Sequence, residues 1–248
     1  MSPIFLVGSY SLRAILRSSF FWIWGLVSLL LTLSLYFISF FDFSGTSLPE
    51  LFLATLVLFG TVSAMAFQLS GSRDFDGGQW GVLLTRPVSS DQLIHGRLFA
   101  FTLTQVGIGV LLLTFFLIEL KLLGRGIGYW IWIPWFFALM QIGALAALYG
   151  LITIWMSDFW ALVSMVGAFL GGQLAPNIHS LVPEKLSFLS SIPYVALPDL
   201  DLEFINVIGR SDGNMYSTVA WKTVYYISYY YIIVYISSRS LAYRINRK

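Results

Sequence analysis

Residues 126–157 read GIGYWIWIPWFFALMQIGALAALYGLITIWMS, a run without one charged side chain. A helix needs about 20 apolar residues to cross the hydrocarbon of a bilayer. Trp130, Trp132 and Trp135 stand at one end of the run, and Trp155, with Trp160 just beyond it, at the other. Tryptophan concentrates at the two membrane–water boundaries. The stretch therefore predicts a transmembrane helix between two aromatic belts.

The rest of the chain follows the same rule. Of its 248 residues 58% are hydrophobic and only 10% charged, against roughly 25% charged in an average soluble domain, and the mean hydropathy is +0.81. Five further runs of span length are bounded by charge: Phe20 to Phe41, the run after Glu50 to about Ser70, Leu98 to Ile118, Phe159 to about Ala175, and Trp221 to about Ser238. Ser47-Leu48-Pro49-Glu50 carries an N-terminal helix signal, a serine with glutamate three residues later and proline in the first turn. Asp158 is the only charge between the fourth and fifth runs, so a hairpin there needs almost no loop. Gly171-Gly172 and Pro176 are expected to end the fifth. The fold class is thus an all-α membrane protein of six spans, residues 18–248, with both termini on one side.

Scarce charges set the orientation. With the termini in the cytoplasm, nine Lys/Arg fall inside (Arg13, Arg17, Arg73, Arg86, Arg97, Arg239, Arg244, Arg247, Lys248) and five outside (Lys121, Arg125, Lys185, Arg210, Lys222). The positive-inside rule favours this choice. Residues 1–17 set Ile4, Phe5, Leu12, Ile15 and Leu16 beside Arg13 and Arg17, the pattern of an amphipathic helix lying in the cytoplasmic interface. No small-residue cleavage site follows the first apolar run, which reads as a retained span rather than a cleaved signal. Residues 176–220 form a long external segment before the sixth span.

Composition also excludes chemistry. A net charge of +2 and a pI near 8.8 leave no dense basic face for nucleic acid. Cysteine is absent, which excludes disulfides, thiolate catalysis and thiolate-bound metal. Two histidines, His95 and His179, are too few for a multi-histidine metal site. No Gly-x-x-x-x-Gly-Lys-Ser/Thr phosphate loop occurs, so ATP hydrolysis is not expected on this chain, and no resident cofactor is expected either. Gln68, Gln105, Gln141 and Gln173 are polar groups within the spans, expensive in lipid unless they face protein or water; they line a translocation path or bond between helices. Gly167 and Gly171, at a spacing of four, let helices approach closely.

The cytoplasmic loop of residues 73–97 is the most particular stretch. Asp74, Asp76 and Gly77-Gly78 lead into Gln79 to Thr85, a short helix-length piece whose Trp80, Val82, Leu83 and Leu84 are too apolar for a free loop. Pro87 disfavours helical geometry at Arg86, and Ser89 with Gln92 can form a capping box that starts the next helix. A short apolar helix flanked by charge suits docking into a groove on a partner subunit; packing against its own bundle is the alternative.

From Phe67 to Phe101, through Leu83-Leu84-x-x-Pro87 and Gly96-Arg97, the chain resembles the cytoplasmic loop of type-2 ATP-binding-cassette transporter permeases. In that family the loop carries a coupling helix that contacts the ATPase subunit. The resemblance implies an exporter-like fold with ATPase coupling through Asp74, Asp76, Trp80, Leu83, Leu84, Arg86 and Pro87. It implies ATP and magnesium on separate ATPase subunits, pairing with a second copy or a related permease, and room for an accessory membrane or extracytoplasmic protein. It implies a dimer seam of first and fifth spans, for which Gly167 and Gly171 are the candidates. The expected location is the inner, cytoplasmic membrane of a prokaryote. A haem-exporter-like permease of cytochrome c maturation and a non-transporting membrane scaffold are the alternative readings.

Overall fold

Apolar runs of this length must satisfy every backbone N–H and C=O internally when no water is at hand, and an α-helix does so within one segment. The structure, a computed structural model, describes residues 3–40, 48–76, 88–124, 131–181, 197 and 215–246. Among these are seven α-helices: α1 (Pro3–Arg17), α2 (Ser19–Phe40), α3 (Leu48–Asp76), α4 (Ser90–Leu122), α5 (Trp132–Trp155), α6 (Asp158–Leu181) and α7 (Met215–Asn246). No strand occurs among the described residues.

Leu48–Ser70 of α3, α4 and α5 are each long and apolar enough to cross a membrane. The pair α1 and α2, bent by 66° at Ser18, makes a fourth span if counted as one broken helix. Leu26, Leu30, Leu103, Leu111, Leu170 and Ile232 leave about half of their surfaces exposed. Contiguous apolar exposure on that scale belongs in lipid, not in water. The chain is a multi-pass membrane protein.

Helix α5 is the axis of the bundle and packs against α3, α4, α6 and α7. Phe137, Ala138, Ile142 and the run Ala144 to Tyr149 are all buried. A glycine on α3 lets it approach closely: a Cβ placed on Gly60 would clash with the Ile142 side chain of α5. Away from the α3–α4 connection, Phe52 and Phe116 stack at 4.3 Å and Trp135 Nε1 donates to the Gly109 carbonyl at 3.1 Å.

Several hydroxyls that would be costly in lipid bond back to their own helix. Ser28, Thr32, Thr104 and Ser237 each donate to the carbonyl four residues earlier. That device satisfies the side chain without a partner helix.

Element ends match the sequence reading in two places and depart from it in three. Ser89 caps α4 through the full capping box, its Oγ accepting from the Gln92 N–H while the Gln92 side chain accepts from the Ser89 N–H. Only Met156 and Ser157 separate α5 from α6. Helix α6, however, does not stop near Ala175 but continues through Gly171-Gly172 and Pro176 to Leu181. A proline removes one ladder bond, and membrane helices tolerate that loss. Helix α7 likewise starts at Met215, before Trp221, and continues past Ser238 to Asn246, so Arg239 and Arg244 are helical. The stretch between spans drawn as 73–97 is shorter too, because α3 continues to Asp76 and α4 begins at Ser90.

The external segment shortens correspondingly, its first residues belonging to α6 and its last to α7. Residues 182–196 and 198–214 lie outside the described residues, as does Ser47.

Candidate functional site

One end of the bundle gathers the α1–α2 elbow, the close of α3, the start of α4, the close of α5 and the close of α7. Among the described residues this end carries Arg13, Arg17, Arg97, Arg239 and Arg244, and the opposite end Lys121 and Lys222. The connection from α3 to α4 leaves from here.

Gln68 is the centre of the polar groups at this end. It is 4% exposed, and its Nε2 donates to the Ala146 carbonyl of α5 at 2.9 Å. Gly150, one turn further along α5, makes room for the amide: a Cβ there would sit 3.3 Å from Gln68 Nε2. Next to Gln68 in sequence, the Phe67 ring stacks on Phe101 at 5.2 Å and lies under the Arg97 guanidinium, whose carbon is 5.0 Å from the ring centroid. Arg97 also donates to the Phe67 carbonyl at 3.4 Å. Gln68, Arg97, Thr153 and Ser237 are the polar side chains lining a partly open pocket of about 20 Å³, a size that holds one water molecule. Four helices, α3, α4, α5 and α7, thus place a polar side chain around one pocket.

Beside this junction α1 crosses α4. A Cβ on Gly96 would come within 2.7 Å of Val7 Cβ and 2.9 Å of the Ile4 carbonyl, so only glycine permits the approach. Phe5 of α1 meets Phe99 edge-on at 5.8 Å. The outer side of α1 exposes Ile4, Phe5, Tyr10 and Leu16 together with Arg13 and Arg17. At the close of α5, Arg244 of α7 donates to the Ile154 carbonyl, one of the last-turn acceptors that the helix leaves without a partner of its own. Leu93, Ile154 and Leu241 pack into a small cluster beneath this contact.

The residues singled out from the sequence fall in different places. Asp74 and Asp76 belong to the last two turns of α3 rather than to a loop. Trp80, Leu83, Leu84, Arg86 and Pro87 lie outside the described residues. Gln141 is occupied at mid-bundle, its Nε2 donating to Tyr226 Oη at 3.1 Å. Gln68 and Gln141 therefore serve contacts between helices. Gln105 is buried on α4, and Gln173 is half-buried on α6.

Gly167 and Gly171 also differ in their surroundings. Gly167 is exposed, with nothing within 4 Å of an added Cβ, whereas a Cβ on Gly171 would meet Leu197 of the same chain at 2.7 Å. Gly171 is thus engaged within the chain. No protein-family model matches this chain, and no curated protein matches it.

Two charges on α4 are buried, Arg97, which the sequence offers as a topology marker and as half of the Gly96-Arg97 pair, and Glu119, which sequence reasoning did not single out. Arg97 is 7% exposed and sits inside α4, and Glu119, near the other end of α4, is 6% exposed with no partner for Oε1 among the described residues. A capping box at Ser89 starts the helix two turns before Arg97. That spacing is the signal that places Arg97 within a helix rather than on a loop.

Proposed function

We propose that the chain is the six-span permease subunit of an ATP-driven exporter of the type-2 ATP-binding-cassette kind. In this reading two copies, or this chain and a related one, pair around a path in the cytoplasmic membrane of a prokaryote, each resting on a separate ATPase subunit. The arginine-rich end of the bundle faces the cytoplasm by the positive-inside rule. Helices α2, α6 and α7 supply the spans beyond those whose length and apolarity are already sufficient.

The observation that carries the reading is the setting of the α3–α4 connection. Asp76 closes one helix, Ser89 caps the next, and the Leu83-Leu84-x-x-Pro87 signature stands between them. The Gly96-Arg97 pair that completes the signature has a physical role in this bundle. Gly96 admits α1 and Arg97 stacks on Phe67 of α3. A push on the connection is passed to α3 and α4, and from α3 to α5 through Gln68. ATP and magnesium act on the partner chain, and closure of the ATPases reshapes the seam between permeases.

The test is purification in mild detergent from the cells that encode the chain. Recovery of an ATPase subunit whose hydrolysis depends on the permease supports the proposal. Asp76→Lys and Trp80→Ala should both reduce recovery of that subunit. A preparation without an ATPase, or assembly and hydrolysis unchanged in both variants, overturns it.

A further inference from the structure

Where α1 meets α2, a groove of about 320 Å³ opens toward α3 and the base of α4. Its polar lining comprises Tyr10, Ser11, Ser18, Ser63, Ser70 and Arg97. Ser11 and Ser63 are each 7% exposed, and neither makes a side-chain hydrogen bond among the described residues. Both side chains line the groove beside the Arg97 guanidinium, so their hydroxyls are available to an acceptor that arrives from outside. Arginine and hydroxyl donors together suit a phosphate oxygen.

The apolar surroundings decide what carries that phosphate. Phe20 and Phe21 form the wall at the elbow. Phe21 also lines a second groove of about 490 Å³ between α2 and α4, which is almost entirely apolar and bounded by Leu16, Trp22, Leu26 and Leu111. Gly25 and Gly107 border open space in this second groove, since a Cβ on either would meet nothing within 4 Å. A polar groove at the membrane boundary and an apolar groove running from it share Phe21 as a wall. Together they have the amphiphilic profile of a lipid rather than of a free anion.

We propose that the elbow binds one anionic phospholipid, its phosphate among Arg97, Ser11 and Ser63 and an acyl chain along α2 past Phe21. An occupied site ties α1 and α2 to α3 and α4. The proposal needs only the membrane location of the chain and stands or falls separately from the exporter reading.

Three probes of matched parts test it on the full chain in uncharged detergent, by thermal shift. Phosphatidylglycerol carries phosphate and tails, diacylglycerol the same tails alone, and glycerol phosphate the headgroup alone. Phosphatidylglycerol is expected to raise the unfolding temperature at concentrations at least tenfold lower than either fragment. Ser63→Leu fills the groove with Arg97 intact, and Arg97→Gln removes the cation. Each should abolish the preference for phosphatidylglycerol over diacylglycerol, and Ser63→Leu keeps the test valid if Arg97→Gln fails to fold. Equal stabilisation by diacylglycerol, equal stabilisation by glycerol phosphate, or a preference that survives Ser63→Leu overturns the proposal.

Discussion

Gln68 of α3 and Ala146 of α5 are joined by a hydrogen bond of 2.9 Å between two buried helices. The donor is a side-chain amide and the acceptor a carbonyl that already belongs to the α5 ladder. Gln68→Leu should therefore leave no orphaned carbonyl and cost only the value of one interhelical bond within a membrane, about 0.6 to 1.7 kcal/mol. Thermal unfolding followed by tryptophan fluorescence measures this. A loss well above that range would mean that the amide holds more than Ala146.

Gly150→Ala examines the same contact from the other side. The added methyl lies 3.3 Å from Gln68 Nε2, so it must push the amide. Its cost should be clear in the native chain and nearly absent in Gln68→Ala, where the space is free. Contacting residues depart from additivity in this way, by roughly 0.5 to 3 kcal/mol. Additive effects in the double variant would place the amide elsewhere.

Several features of this fold were legible because each rests on a local rule. The run bounded by Trp132 and Trp155 is a helix of that length, and Ser89 and Gln92 make the capping box that their spacing indicates. The two-residue break at Met156 and Ser157 follows from the absence of any other turn residues there. The end of α6 was not legible, because glycine and proline rules calibrated in water lose to the cost of unpaired backbone in lipid, and the ends of α7 were not, because a helix continues beyond the apolar run that marks its span.

The candidate site was less legible than the fold. Arg97 reads as a topology marker and as half of the Gly96-Arg97 pair, but its burial shows only once the helix beneath it is placed, and its stacking partner Phe67 lies thirty positions away. Nothing in the local pattern distinguishes Gln68, which bonds to α5, from Gln105, which is buried on α4. An interfacial helix before the first span implies the bend between α1 and α2, but that the bend brings Ser11 beside Ser63 of α3 is a long-range pairing no spacing encodes.

Gly60→Ala should be among the most damaging methyl additions in the bundle. Three atoms of Ile142 would lie within 2.9 Å of the new Cβ, so the whole side chain has to move. Overpacking of this kind costs about 1 to 3 kcal/mol. Gly143→Ala, with nothing within 4 Å, should be neutral or gain from helix propensity by up to about 1 kcal/mol. Ile142→Ala should rescue Gly60→Ala in part, as read by urea or thermal unfolding in detergent.

Gly96→Ala is expected to lift α1 from α4 without unfolding the bundle, because the three atoms nearest the new Cβ belong to Val7 and the Ile4 carbonyl, all on α1. The absence of native cysteine makes the readout clean. A single cysteine at Val7, which is fully buried, should resist maleimide in the native background and react severalfold faster when Gly96 is alanine. Equal rates would show that α1 already leaves α4 freely.

Cysteines at the two ends of the α4–α5 pair fix the sidedness on which the functional reading depends. Leu122 is 71% exposed at the close of α4, and Ser157 stands in the break after α5, at the end of the bundle that carries Arg97 and Arg244. A membrane-impermeant maleimide applied to intact cells should label Leu122→Cys and spare Ser157→Cys, which should react once the membrane is permeabilised. The reverse result would put the arginine-rich end and the α3–α4 connection outside the cell. No cytoplasmic ATPase could then reach the stretch from Trp80 to Pro87, and the exporter reading would fail even though every helix stays where it is.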